Sequence, residues 1–143
     1  MEPEDVVHVL RHMVEAVEPG GLVLDLQVIR PDPVVEAGGR VVCEIDGEPL
    51  FRGADAAAAA VDAAVRDGLL DEEATDDHDV RKHYDNGVDL IDDFAHKPRN
   101  LPEAALAQLR RLEAPCAVRE RCRLRRLLTN ARLGLLPRPA RTA

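Results

Sequence analysis

The sequence predicts an α/β protein in which helices cover a small mixed sheet that ends in an antiparallel pair of strands. Three observations carry this prediction. Apolar residues recur at helical spacing over residues 6–17, a predominantly apolar run follows over residues 22–29, and residues 116–128 alternate between apolar side chains and arginines with a period of two. Helical and strand periods that alternate along one chain are typical of helices packed on a sheet.

The length and composition of the chain limit its architecture. Its 143 residues suit one domain. We expect residues 1–128 to form a single α/β domain, and residues 129–143, which contain Gly, Pro and Arg, to form a flexible basic tail. Aromatic residues make up only 2% of the chain, so the core must consist of Val, Leu, Ile and Ala.

The first two predicted elements are a helix and a strand. The helix is expected to begin at Pro3 and to end at the Pro-Gly-Gly turn of residues 19–21. Its apolar stripe consists of Val6, Leu10, Met13, Val14 and Val17. The run from Leu22 to Ile29 then predicts a buried strand, which the Arg-Pro-Asp-Pro of residues 30–33 is expected to end.

A hairpin and a second helix follow. Residues 34–45 predict a β-hairpin closed around Gly38 and Gly39, with an Asp-Gly turn after it. The helix is predicted over residues 55–66, capped at its start by residues 53–55 and at its end by Gly68. Its narrow apolar face consists of Ala58, Val61, Ala64 and Val65.

The second half of the chain predicts a strand, two helices and a final strand. Residues 70–84 are predicted as the first strand, residues 89–94 as a short helix, and Pro102 as the start of the next helix. In residues 116–128 the apolar positions alternate with Arg119, Arg121, Arg123 and Arg125. This period predicts a strand with one solvated face.

Two oppositely charged clusters admit two interpretations. Residues 71–79 contain six acidic residues and no basic one, whereas residues 119–126 contain five arginines and one glutamate. They could form an acidic metal site beside a basic arm for nucleic acid. We favour antiparallel neighbours in the sheet, because that arrangement places the opposite charges across one strand pair.

The charge balance excludes some partners. A net charge of −8 opposes nonspecific binding to nucleic acid or to anionic lipid. No apolar run approaches the ~20 residues of a membrane span, and the first 18 residues carry five acids and lack the pattern of a signal peptide. We therefore expect a cytoplasmic protein that binds neither nucleic acid nor membranes.

Cysteine and histidine spacings predict no metal site with three or more ligands. Three cysteines, Cys43, Cys116 and Cys122, are expected to be buried reduced thiols, because their spacing suits no zinc site. Cys116 and Cys122 would lie ~20 Å apart along one strand, too far for a disulfide. His8 and His12 have a spacing that can bind a metal, but no third ligand is apparent, so we expect both to face solvent.

The densest group of potential ligand-binding side chains lies near the end of the acidic strand. Asp79, Arg81 and His83 would share one face of that strand and could line a pocket together with Tyr84. The alternative is a solvated strand end. No pattern predicts catalytic residues.

The order of elements resembles the C-terminal half of a class I S-adenosylmethionine-dependent methyltransferase. The turn Glu18-Pro19-Gly20-Gly21 before "LVLDL" is similar to that family's R-P-G-G turn, with Glu in place of Arg. Residues 71–84 and 116–126 look like the family's final antiparallel hairpin, and "HYDNGVDLIDDF" resembles the segment that follows its sixth strand. The resemblance covers roughly residues 4–128 and implies a Rossmann-like fold.

The family's cofactor-binding half is missing from this sequence. A Gly-rich loop after a first strand and an acidic residue after a second strand would hold S-adenosylmethionine, and neither pattern occurs here. We therefore expect no cofactor binding by the chain alone. The strand from Leu22 to Ile29 would also lack a neighbour, and its exposed edge predicts a homodimer or a protein partner.

Three functions follow from these observations. The first is a non-catalytic methyltransferase-like module that acts through oligomerisation or partner association. The second is a subunit of a methyltransferase whose S-adenosylmethionine site is completed by another chain. The third is a small-molecule-binding α/β domain that uses Asp79, Arg81, His83 and Tyr84.

Overall fold

The structure is a computed structural model that describes residues 3–130. These residues form an α/β fold, as predicted. The elements are, in chain order, α1 (Pro3–Ala16), β1 (Leu22–Ala37), β2 (Arg40–Glu44), α2 (Glu48–Arg66), β3 (Leu70–Tyr84), α3 (Gly87–Phe94), α4 (Glu103–Arg111) and β4 (Cys116–Thr129). Among these helices, none has the length and apolar character needed to cross a membrane.

The sheet has the strand order β2-β1-β4-β3 and is antiparallel. The prediction of a mixed sheet is therefore wrong, whereas the final antiparallel pair of β3 and β4 is confirmed. A parallel pair needs a crossover between neighbouring strands. Here helix α2 connects β2 to β3, which are the two outer strands, so this connection creates no parallel pair.

The chain divides into two compact units. Within the described residues, unit 1 comprises residues 3–26, 56–76 and 124–130, and unit 2 comprises residues 27–55 and 77–123. Strands β1, β3 and β4 and helix α2 each contribute residues to both units. The first residue of the predicted tail, Thr129, is the last residue of β4 and is buried. Residues 131–143 lie outside the described residues.

The core of unit 1 joins one face of the sheet to helices α1 and α2. Its buried members are Val23, Val61, Ala64, Leu70 and Leu127, with Leu10, Val14, Val17, Val65 and Leu69 packed against them. Met13 was predicted in the apolar stripe of α1 but is 42% exposed. The Thr129 hydroxyl donates to the Glu18 carbonyl oxygen at 2.6 Å, and the Gly20 N–H donates to the Thr129 carbonyl oxygen at 2.9 Å.

Strand β1 is longer and less buried than the sequence predicts. It continues past the prolines to Ala37, where it pairs with β2. Leu22, Leu24 and Leu26 are 43%, 54% and 56% exposed, whereas Val23 is buried. The predicted buried strand is therefore wrong, because helices cover one face of the strand and alternate residues point to the other face.

The core of unit 2 contains the predicted hairpin. Its buried members are Val35, Ile45, Leu90, Phe94, Leu109, Cys116 and Val118. Gly38 and Gly39 have φ values of +58° and +76°, which a two-residue hairpin turn of type I′ requires. The hairpin prediction is confirmed, with Val35 opposite Cys43.

Helix α2 begins seven residues before the predicted start at Asp55. An Asp46 carboxylate oxygen accepts a hydrogen bond from the Glu48 N–H at 3.0 Å, which satisfies an N–H of the first turn. The Asp-Gly dipeptide is therefore a helix start, and Pro49 in the first turn is the signal that the sequence analysis missed. Gly53 consequently lies inside the helix. The predicted end is confirmed, because Gly68 has a φ of +78°.

The three cysteines are free thiols, as predicted. Cys116 and Cys122 are buried and Cys43 is half-buried. Desolvation by burial raises the pKa of each of the three thiols. A raised pKa keeps a thiol protonated near neutral pH, so these side chains are poor nucleophiles and poor metal ligands.

Candidate functional site

The acidic and basic clusters pair across β3 and β4. In unit 2, Arg123 donates to the Asp77 carboxylate at 2.8 and 3.0 Å, and Arg121 donates to Asp79 at 3.2 Å. In unit 1, Arg126 donates to Glu73 at 2.5 Å. Partner numbers fall along β3 as they rise along β4, so the predicted antiparallel pairing is confirmed. The hydrogen bonds from Arg123 and Arg121 lower the pKa of Asp77 and of Asp79.

Arg125 departs from the predicted solvated face of β4. It is only 7% exposed, and its guanidinium donates to Asp62 at 2.7 Å and to Glu72 at 2.8 Å. Apart from Ala117, the buried positions between Cys116 and Cys122 are even-numbered, whereas from Arg125 onwards the buried positions are odd-numbered. The arginines alternate only as far as Arg125, and the adjacent Arg126 breaks the alternation at the point where this change occurs.

Three of the four predicted ligand-binding residues lie together. Arg81, His83 and Tyr84 line a cleft of about 370 Å³ in unit 2. The other walls come from the β1–β2 turn, from the residue that follows β3 and from the start of β4, and they consist of Glu36, Ala37, Gly38, Gly39, Asp85, Pro115, Cys116 and Ala117. Asp79 is not among the lining residues. Its carboxylate instead lies 3.2 Å from Arg121 and 3.7 Å from Arg119.

The cleft carries charges of both signs. The Arg81 guanidinium lies 3.8 Å from the Glu36 carboxylate, which also pairs with Arg119. His83 adds a further basic group and Asp85 a further acidic one. A volume of this size falls within the range of small-molecule sites, and the mixed charges suit a ligand that has both a cationic and an anionic group.

A second charged cluster in unit 2 was missed by the sequence analysis. One oxygen of Asp93, Oδ2, accepts hydrogen bonds from Lys82 Nζ at 3.0 Å, from the Tyr84 hydroxyl at 2.5 Å and from Lys97 Nζ at 2.8 Å. Lys82 and Lys97 are the only lysines in the chain. The spacing of four residues between Asp93 and Lys97 was visible in the sequence, but the approach of β3 to α3 was not.

Contacts within the Asp93 cluster shift the pKa of Asp93 and the pKa of Tyr84. The hydrogen bond from Lys97, followed by those from Tyr84 and Lys82, holds the pKa of Asp93 well below its usual range. Desolvation and the hydrogen bond to Asp93 raise the pKa of Tyr84 far above its usual range. Tyr84 is therefore neutral at physiological pH, and its hydroxyl donates a hydrogen bond to the ionised Asp93 that links β3 to α3.

We expect Asp93→Asn to lower the free energy of unfolding near neutral pH. We also expect the stability of this variant to fall less steeply than that of the wild type as the pH is lowered. Because the pKa of Asp93 is lower in the folded than in the unfolded chain, its contribution is complete above the ordinary aspartate pKa of about 3.9 and is lost as the pH falls through the folded value. Urea unfolding of the variant near neutral pH and below about pH 4 measures both effects. Asp92→Asn removes the same charge beside the cluster and is the control. Equal pH profiles for the two variants would contradict the prediction.

The described residues contain no group of three or more His, Cys, Asp and Glu side chains that could hold a metal ion. His8 and His12 are exposed on α1, as predicted, and their Nε2 atoms are 3.0 Å apart.

Comparisons of the chain with protein-family models, with curated proteins and with solved structures found no significant match.

Proposed function

We propose that this chain is a non-catalytic cytoplasmic module that acts through association, and that its partner is a second copy of itself. The observation that carries the proposal is the row of exposed leucines on β1. Leu22, Leu24 and Leu26 share one face of the strand, and each is more than two-fifths exposed. Large apolar side chains in a contiguous row on a surface are typical of an interaction site.

The leucines of β1 have apolar neighbours on β4. Val23 and Leu127 lie in the same core cluster, so the residues next to them in sequence point to the opposite face of the sheet. On β4 these are Arg126 and Leu128, and Leu124 points the same way because it lies next to the buried Arg125; both leucines are half-buried. No helix of unit 1 within the described residues packs on this face, since α1 and α2 pack on the other one.

The edge of β1 is open beside the same leucines. The register pairs β2 with the four residues from Val34 to Ala37, and β4 lies on the other side of β1. From Leu22 to Leu26 the described residues therefore provide no strand on the β2 side. An open, apolar strand edge favours pairing with another strand.

A second copy is the occupant that this edge fits. An antiparallel pairing about a two-fold axis at Leu24 sets Leu22 of one copy opposite Leu26 of the other. The same register sets Asp25 opposite Val23, so that no like charges meet. Such a self-complementary strand forms an isologous interface, which closes at a dimer.

The relation to methyltransferases forms part of this proposal. The turn before β1 and the antiparallel pair of β3 and β4 are the features that favour it. Within the proposal the chain binds no S-adenosylmethionine by itself. The rival function is that of a subunit whose cofactor site a different protein completes.

Light scattering and calorimetry on one sample test the proposal. We expect a mass near twice 15.7 kDa that falls on dilution, and no heat on titration with S-adenosylmethionine. A folded species that remains monomeric at micromolar concentration would contradict the dimer. Saturable heat from the chain alone would contradict the non-catalytic function and favour a methyltransferase.

A second candidate function is the binding of a small zwitterion in the cleft. It rests on the convergence of Arg81, His83 and Tyr84 there and on the acidic groups of Glu36 and Asp85. We expect L-glutamate or L-arginine to shift the imidazole NMR signals of His83 in the wild type and not in Arg81→Gln. The imidazole of His96, which lies outside the cleft, is the internal reference. Equal shifts in both proteins, or none in the wild type, would exclude these amino acids as ligands.

A further inference from the structure

Two histidines on the exposed side of α1 face each other. His8 and His12 are one helical turn apart, and Nε2 of His8 lies 3.0 Å from Nε2 of His12. The rings meet edge to face, with centroids 4.4 Å apart and planes at 89°. Both side chains are exposed, so an ion from solvent can reach the space between the two nitrogens.

We propose that His8 and His12 form a binding site for a divalent first-row transition metal ion such as Ni²⁺ or Zn²⁺. Imidazole nitrogens are preferred ligands of both ions. Zinc binds histidine nitrogen at 2.0–2.1 Å with tetrahedral angles, which places two such nitrogens about 3.3 Å apart. The observed separation is only a few tenths of an ångström shorter, so a small rotation of either ring admits the ion.

The metal takes the place of a shared proton. In the hydrogen bond between two neutral rings, one Nε2 carries the proton and the other accepts it. Coordination requires both Nε2 atoms to be unprotonated, so each neutral ring must then carry its proton on Nδ1. Binding therefore moves the proton of the donor ring from Nε2 to its own Nδ1.

Glu15 favours the required tautomer of His12. One of its carboxylate oxygens lies 4.0 Å from Nδ1 of His12, the ring nitrogen that faces away from His8. A carboxylate near this nitrogen favours the proton there and leaves Nε2 free as a ligand, as outer partners do in many histidine metal sites. Since the described residues add no third ligand, water fills the remaining positions and the ion exchanges freely.

Calorimetric titration of the folded, reduced chain with Ni²⁺ tests this site. We expect one saturable site. We expect His8→Ala and His12→Ala each to weaken binding by at least about tenfold, because removing even a residue that only hydrogen-bonds to a metal ligand lowers metal affinity by about that factor. His96→Ala removes another exposed histidine and should leave the affinity unchanged. Competition from the thiols is weakened, because Cys116 and Cys122 are buried, Cys43 is half-buried, and desolvation raises the pKa of each.

Hydrogen exchange provides a second readout that does not depend on heat. An ion held by both rings links two turns of α1, so Ni²⁺ should slow exchange of the α1 amides in the wild type and not in His12→Ala. Absence of saturable binding by the wild type would overturn the proposal. So would equal affinity of the wild type, His8→Ala and His12→Ala, because the ion would then lie elsewhere.

Discussion

Leu24→Lys and Leu24→Glu are each expected to be monomeric, and a mixture of the two is expected to form a heterodimer. In the proposed pairing, Leu24 lies on the two-fold axis and faces its own copy. Two like charges about 8 Å apart repel by about 2 kcal/mol at an effective dielectric constant of 20. Together with the lost apolar contact, this repulsion should raise the dissociation constant at least about 30-fold. Opposite charges in the mixed pair attract each other instead.

The matched control for these variants is Val41→Lys. Val41 lies on β2 and is 55% exposed, close to the 54% of Leu24, but it lies outside the proposed interface. Light scattering should give a dimer for Val41→Lys and a monomer for Leu24→Lys, with unchanged circular dichroism in both. If both lysine variants remain dimers, the interface lies elsewhere. If the mixture stays monomeric, the two-fold axis does not pass through Leu24.

Salt should strengthen this dimer. Each copy carries a net charge of −8, so two copies repel at long range, and salt screens that repulsion over about 10 Å at 0.1 M. The proposed contact itself is apolar and loses nothing on screening. A dimer built on ion pairs would respond in the opposite direction, so the sign of the salt effect separates the two kinds of interface.

Local patterns in the sequence predict β3 and β4 well because both the period and the charge signs are local. Residues 70–84 coincide with β3, and the six acids and five arginines identify its neighbour without any tertiary information. The Arg125 interaction with Asp62 joins residues that are 63 positions apart. It depends on where α2 packs, and no local pattern carries that information.

In the candidate cleft too, local patterns predict some features, whereas others depend on tertiary packing. Strand alternation was sufficient to place Arg81 and His83 on one face, and the β1–β2 turn that completes the cleft was predicted separately. The loss of Asp79 to Arg121 follows from strand register, which the sequence does not fix to a single residue. The role of the Tyr84 hydroxyl follows from α3, whose Asp93 takes it away from the cleft.

We expect Gly87→Ala to lower the free energy of unfolding strongly. Gly87 is the first residue of α3 and is buried. A Cβ atom there would lie 1.9 Å from the carbonyl oxygen of Leu109 and 2.7 Å from its carbonyl carbon. Both atoms belong to the backbone of α4, so no side-chain rotation relieves the clash and α4 itself must move. Overpacking costs about 1–3 kcal/mol, and a rigid obstacle places this variant near the upper limit.

Gly53→Ala tests the same chemical change where there is space for it. Gly53 lies inside α2, and a Cβ atom there meets nothing within 4 Å. Because alanine is a better helix former than glycine, this variant should gain up to about 1 kcal/mol. Urea unfolding should therefore move the two midpoints in opposite directions, with a difference of about 4 kcal/mol in the free energy of unfolding. A destabilised Gly53→Ala would indicate that α2 begins near Asp55, as the sequence alone suggests, and a neutral Gly87→Ala would contradict the close approach of α3 to α4.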